Sequence, residues 1–461
     1  MKQKKLKRLL PPMLAAVLLF SACGGATSGE RAQTTSVWNE TEVTGMTTER
    51  TEPTKPSTEP SAEPATKPAT KPDTKPTTKP SAEPEDGEGF AWPDETALEQ
   101  MPRLDSIPDP FLRPDGTRAE TPEAFEAHRA YLRAALEHYV YGELPEKAET
   151  IEAVSATEAE ILEGKAVQRC ETLLIDGRHR VEIRFTYPKD AAGVPLIMRL
   201  DYLCDDIYRP AVEDEALLAG RYAFCTISRR DIAPDSAYDR STLPYGEDGP
   251  GAVAMWAYAA MTTLDYLWDS PVIDQERVAL TGHSRDGKAA LCAAALDERF
   301  TAVIANGSGC GGAGSFYTRG DGCESLNTML GAFPHWLSKT MLDLPRTLRR
   351  NVPVDMIFAR ALIAPRHVLL TEAEEDKWAN PYGAYVNTVL AREICAFLGH
   401  EETGNGMTIR PGSHDQLDQD WRYLIEFLDC VFYGVEPQTD FNAEHFDIAK
   451  LELGWSVPAR G

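Results

Sequence analysis

The chain has 461 residues and carries 72 acidic against 47 basic side chains, a formal charge of −25. Such a balance excludes nucleic acid and an anionic membrane surface as natural partners, because both repel a polyanion. The acidity is not evenly spread: residues 1–89 hold 12 basic and 12 acidic residues, so the whole excess falls on the remainder.

Five Lys or Arg stand in the first eight residues, followed by an apolar run of 14 from Leu9 to Ala22. A run that short does not cross a hydrocarbon core of ~30 Å as a permanent helix and is an export signal. Its ending, "FSAC", resembles the bacterial lipoprotein cleavage site, which makes Cys23 the lipidation site and residues 1–22 the signal peptide. Residues 23–89 contain little that could form a core. From Pro56 to Pro84 a proline recurs every fourth residue, each preceded by Lys or Glu. Proline fixes φ and removes a donor, so this stretch is expected to be a disordered, extended stalk. The expected location is extracellular, lipid-anchored to the bacterial cell membrane, and that lipid is the only membrane contact expected.

Residues 90–461 hold the aromatic content and are long enough for one large domain. "AVQRCETLLI" and "RVEIRFTY" alternate as antiparallel strands do, while "GVPLIMRLDYL" and "YAFCTIS" read as buried strands. "GAVAMWAYAAMTTLDYLWDS" has apolar residues at spacings of three and four, the mark of a helix. Strand and helix then alternate: strand 277–281, helix 287–296, strand 302–306, a long excursion with a helix, strand 367–371, helix, strand 407–410, helix. This predicts an α/β fold with a mostly parallel central sheet covered by helices on both faces, a three-layer αβα sandwich. The eight cysteines after Cys23 include no C-x-x-C and no zinc-like Cys/His spacing, and most lie in apolar patterns as small core residues. No metal and no cofactor are expected.

The stretch "RVALTGHSRDGKAAL" at 277–291 reads as strand, sharp turn and helix, with Ser284 at the turn. That is where an α/β sheet of this class presents a nucleophile. The usual glycine two places after the serine is replaced by Asp286, and Gly287 follows one later. The strand ending "HVLLTEAEED" places Glu374, Glu375 and Asp376 in the next loop but one, and the last strand delivers His414 in "RPGSHD". Nucleophile, acid and base therefore occur in the order of the α/β-hydrolases. A serine hydroxyl needs imidazole to take its proton, and a carboxylate to fix the imidazole tautomer.

These residues resemble the glucuronoyl esterases, carbohydrate esterase family 15, whose elbow G-[CH]-S-R-x-G-K is met by "GHSRDGK". The stretches "NGSGCGG", "FPHW", "ALIAPRHVLL", "EEDKWANP", "RPGSHD", "DIAPD" and "LPYGEDGPGAVAMWAY" are also similar to family members. The resemblance implies Ser284 as nucleophile, His414 as base and Arg285 as oxyanion stabiliser, with Lys288 and Trp378 on the uronate ring. Many members carry the acid 23 residues after the serine, which here is Gly307. That leaves Asp376, with Glu375 as its substitute. The sugar-gripping residues of fungal members are not reproduced in "CESLNTMLGAFPHWL", where Glu324 and His335 are the candidates. The implied partners are glucuronoxylan or lignin–carbohydrate esters, acted on by a monomer. An acetyl or other carboxyl esterase, or a non-catalytic carbohydrate-binding surface protein, are the alternatives.

Overall fold

Nine strands, most of them alternating or largely apolar in sequence, assemble into one sheet of order β1-β2-β3-β5-β4-β6-β7-β8-β9. The computed structural model describes residues 90–101, 103–204, 210–235, 239–400 and 404–460. The signal peptide, Cys23 and the stalk lie outside the described residues. The strands are β1 Ile151–Ile161, β2 Ala166–Ile175, β3 His179–Pro188, β4 Val194–Asp201, β5 Ala223–Ser228, β6 Ile273–His283, β7 Ala302–Asn306, β8 His367–Ala373 and β9 Asn405–Arg410. β1, β2, β3 and β5 pair antiparallel, and β5 through β9 are joined by parallel ladders.

Helices α1 Glu95–Gln100 and α2 Pro122–Ala135 precede the sheet, and α3 Ala211–Leu218 and α4 Ala252–Leu267 flank β5 in sequence. α5 Arg285–Leu296 follows β6, and the excursion between β7 and β8 carries α6 Leu326–Ala332, α7 Lys339–Asp343 and α8 Ile357–Ile363. α9 Pro381–Phe397 and α10 Asp418–Tyr433 complete the series. One large core packs α2, α4, α5, α8 and α9 on one face of the sheet, while a smaller core packs α3 and α10 on the other. Helices on both faces explain why β5 and β7 are buried at every position. Among the described residues no helix is long and apolar enough to cross a membrane.

β1 was not among the expected strands. Nine of its eleven residues are exposed, so no face needs an apolar residue, and "IEAVSATEAEI" shows no period-2 signal. It is held by its antiparallel ladder to β2 alone. The last strand also starts earlier than expected, at Asn405, where β9 picks up the ladder to Val368.

The turn that ends β6 shows why the small residue has moved. A Cβ on Gly282 would lie 2.4 Å from the backbone carbon and oxygen of Asp286, and one on Gly287 would lie 2.9 Å from Gly282 O and 3.0 Å from Ser308 Cβ. Gly282 and Gly287 thus close on each other across the turn. Asp286 between them is instead buried and ion-paired with Arg229. Gly282→Ala is therefore expected to destabilise the domain by about 1–3 kcal/mol through overpacking. It should also lower esterase activity more than that loss of stability accounts for, since the clash lies two residues from Ser284. Thermal denaturation alongside kcat on any turned-over ester checks both.

Candidate active site

Ser284 sits at the carboxyl end of β6, where the chain crosses from one side of β4 to the other, the place at which α/β sheets bind ligands. Its backbone has φ 55° and ψ −120°, a conformation that L residues rarely adopt. The Ser284 N–H donates to Asn306 O at 2.8 Å on the neighbouring strand β7, which pins the strained residue in place.

His414, in the loop after β9, has its Nε2 2.9 Å from Ser284 Oγ and its Nδ1 2.5 Å from Asp376 Oδ2. Asp376 is buried, in the loop after β8, and its Oδ1 accepts from the Ala379 N–H. Glu374 and Glu375 on the same loop are exposed. Of the three acids in this loop, only Asp376 reaches the imidazole. Gly307 explains the change of acid. A Cβ there would lie 3.3 Å from His414 Nδ1 and 3.4 Å from Asp376 Oδ2, so a carboxylate rooted at 307 would claim the corner that Asp376 fills. In this arrangement Asp376 accepts from Nδ1–H, which leaves Nε2 free to take the serine proton.

His283 lies under His414, with ring centroids 4.8 Å apart, and bonds Asn306 Oδ1 through Nδ1 at 2.5 Å. Asn306 passes the connection on by donating to Thr371 Oγ1 at 2.8 Å. Burial, aided by the neighbouring His414, pushes the His283 pKa down to about 4. It is neutral at working pH and adds no charge beneath the base.

Arg285, the first residue of α5, presents an N–H without an intrahelical acceptor and a guanidinium beside the serine. The guanidinium lies 4.9 Å from the Trp336 ring centroid and 5.4 Å from that of Phe333, and Nη1 is 2.5 Å from Asp235 Oδ2. Asp235 also accepts from Arg229 Nη1 at 3.2 Å, His335 Nε2 at 3.1 Å and Trp336 Nε1 at 2.8 Å. Burial works to raise its carboxyl. The His335 hydrogen bond and the charges of Arg229 and Arg285 outweigh that and hold it well below the usual range. Arg229 pairs in turn with Asp286, whose carboxyl burial raises to about 6 against the pull of that arginine. The result is an alternating row, Asp286, Arg229, Asp235, Arg285, that ends at the reacting centre.

The residues expected on the sugar divide. Lys288 is 4% exposed and its Nζ donates to Ser308 O at 2.6 Å and Cys310 O at 2.7 Å, so two of its three protons fix the 308–310 loop and one remains. Burial lowers its pKa, and Glu324 is the strongest influence in the other direction. Glu324 is buried too. Desolvation raises its carboxyl against the attraction of Lys288 and a hydrogen bond from Trp378, and its N–H donates to Trp378 O at 3.0 Å. Trp378 is 52% exposed, a ring available to a ligand. His335 does not belong in this group: it is 1% exposed and bound to Asp235, so it supports Arg285 from behind and cannot reach a sugar. Asp235 stands in "DIAPD", an irregular segment in which the sequence alone marks no role for it. No disulfide joins Cys225, Cys292, Cys310, Cys323 or Cys430 among the described residues. Among those residues no cluster of His, Cys, Asp or Glu is placed to hold a metal ion.

A mostly parallel sheet with a strained serine elbow, an acid after β8 and a histidine after β9 defines an α/β-hydrolase of the serine esterase type. Residues 181–399 match the sequence family "Glucuronyl esterase, fungi". Over 402 residues, 73% of this chain and 91% of the relative, the sequence is 28% identical to carbohydrate esterase MZ0003 from an unknown prokaryotic organism. It is 27% identical to 4-O-methyl-glucuronoyl methylesterase 1 of Wolfiporia cocos, covering 77% of this chain and 89% of that one. The fold is similar to that of a carbohydrate esterase family 15 glucuronoyl esterase from Caldicellulosiruptor kristjansonii, with a TM-score of 0.65 and 29% identity over 78% of this chain and 99% of that chain. Over its folded domain this chain is similar to the glucuronoyl esterases of carbohydrate esterase family 15, and it is a carboxylic ester hydrolase.

Two outcomes follow from the geometry. Asp376→Asn should lower kcat by roughly 10³- to 10⁴-fold, because an amide in that place cannot hold the tautomer, while Glu375→Gln should leave kcat within about threefold of wild type. A reversed ranking would move the acid to Glu375. Asp235→Asn should lower kcat by roughly 10- to 100-fold with little change in KM, since it frees the Arg285 guanidinium without touching substrate. Steady-state kinetics on a methyl ester measures both.

Proposed function

We propose that this chain is a cell-surface esterase that hydrolyses the ester between (4-O-methyl)glucuronic acid on glucuronoxylan and an alcohol, as in lignin–carbohydrate esters. The observation that carries the reading is the wall beside Ser284. Lys288, one turn further along α5, Glu324, and the exposed Trp378 offer a donor, an acceptor and an aromatic face, the set a pyranose ring with equatorial hydroxyls needs. The name of the Wolfiporia cocos relative, a 4-O-methyl-glucuronoyl methylesterase, supports the same substrate.

Ser284 Oγ attacks the uronate ester carbonyl as its proton passes to His414 Nε2. The negative charge that develops on the carbonyl oxygen is met by the Arg285 guanidinium and backbone N–H. The bond to the alcohol breaks, the alcohol leaves with the proton from His414, and the uronate remains as an acyl ester on Ser284. Water then attacks that ester by the same route, its proton passing through His414 to Ser284 Oγ, and glucuronic acid departs. Substrate enters uncharged at this carboxyl and product leaves as an anion, so the acidic domain repels the product and not the reacting ester. Lipidation at Cys23 and the proline-rich stalk would hold the enzyme at the outer face of the cell, within reach of a polymer that cannot enter. One catalytic domain suffices for the reaction, and a monomer is the working state.

Trp378→Ala should raise KM for methyl glucuronoate by roughly tenfold while leaving hydrolysis of a simple acetyl ester within about twofold, because the indole meets the sugar and not the reacting carbonyl. Parallel kinetics on the two esters gives the answer. Equal losses on both would place Trp378 in the general machinery and favour a general carboxyl esterase.

A further inference from the structure

The loop that brings Asp376 and Trp378 to the serine has a second side. Glu374, Lys377, Asn380 and Tyr382 of that stretch, together with Asp321 and Phe446, line a half-open cavity of about 400 Å³. None of Ser284, His414, Arg285, Lys288 or Trp378 lines it. Both walls nevertheless lead to the reacting centre, because the loop with Asp321 continues to Glu324, whose N–H donates to Trp378 O. The active site and the cavity are thus neighbours across one stitched pair of loops.

The walls are fixed before any ligand arrives. Asn380 is buried and holds a left-handed backbone, φ 58°. Its Oδ1 accepts from the Gly320 and Gly383 N–H groups at 3.0 and 3.1 Å, and its Nδ2 donates to Ser315 O and Thr318 O at 3.3 and 3.0 Å. One side chain therefore ties the two walls together with all four of its hydrogen-bonding positions used. Tyr382 and Phe446 meet edge to face, with centroids 5.5 Å apart, and Phe446 packs on Tyr385 behind them.

The lining chooses the ligand. Asp321, Glu374 and Lys377 are exposed, and among the described residues their charged groups form no ion pair or hydrogen bond with other side chains. Two carboxylates against one ammonium disfavour an anion, so a second uronate does not fit. Acceptors and a donor around two half-exposed aromatic rings suit a neutral polyol with an apolar face, which is a pyranose. A cavity of this size admits one or two such rings.

We propose that this cavity is a second carbohydrate subsite, which holds neutral pyranose units of the polysaccharide bearing the esterified uronate. The inference rests on the glucuronoyl reading for the identity of the polymer, but the cavity's own chemistry for its neutrality. It makes the enzyme a reader of the chain as well as of the branch, so that the ester on polymer is held more tightly than the same ester on a free sugar.

The test uses β-1,4-xylotriose, a neutral oligosaccharide without any ester, titrated into the Ser284→Ala protein and followed by calorimetry or NMR. The expected result is saturable binding, weakened about tenfold or more by Tyr382→Ala and, separately, by Phe446→Ala in the same background. In the Ser284 enzyme both variants should keep the wild-type kcat/KM on methyl glucuronoate, which shows that they are folded. Absence of xylotriose binding, or equal binding by both variants, would overturn the subsite. Failure of the wild type to hydrolyse methyl glucuronoate would count against the proposed activity instead, and the binding result would still decide the cavity.

Discussion

The strained backbone of Ser284 is the constraint on which the rest of the site depends. A non-glycine residue at φ 55° is held only if its surroundings over-determine it. Here β6 is fixed by β4 on one side and β7 on the other, the Ser284 N–H is tied to Asn306 O, and Gly282 meets Gly287 where no Cβ fits. The strain lifts the hydroxyl clear of the sheet into the path of His414. Moving the tight glycine one place along the helix leaves a position between the two glycines, and Asp286 uses it to anchor Arg229. The departure from the general hydrolase elbow is therefore tied to the charge row behind the oxyanion site.

That row is the second organising feature. A guanidinium that stabilises an oxyanion must not wander, and Arg285 is held from two directions: by the Asp235 carboxylate along its plane and by Trp336 and Phe333 near its face. Asp235 can stay ionised while buried because four donors surround it. Lys288 serves a similar end by a different route, since its bonds to the Ser308 and Cys310 carbonyls shape the loop opposite the nucleophile. Both cations of the elbow are thus partly structural, which is what keeps their remaining hydrogen-bonding capacity aimed.

The parallel half of the sheet was legible because β4, β5, β7 and most of β8 are buried and read as apolar runs, with helices between that repeat at 3.6 residues. Ser284, Asp376 and His414 were legible for a related reason: each lies just past a strand that is easily recognised, and topology carries all three to one edge. What the sequence did not show has equally physical causes. β1 buries neither face, so it has no pattern to detect. Asp235 lies 49 residues before Ser284 in an irregular segment, and no spacing rule links a loop carboxylate to an arginine on a later helix. His335 looked like a sugar contact because it stands in the right stretch, yet burial against Asp235 turns it to a supporting task. The cavity beside Asn380 is drawn from four segments distant in sequence, and only the fold assembles it.

Everything proposed for this serine esterase turns on its recognising the acyl side of its substrate as a uronic acid. The most direct measurement compares kcat/KM for benzyl glucuronoate and benzyl acetate, two esters with the same leaving alcohol and different acyl groups. Differential binding of the uronate ring in the transition state predicts a preference for the glucuronoate of roughly 100-fold or more, which corresponds to about two charge-assisted hydrogen bonds. Equal values, or a preference for the acetate, would contradict it.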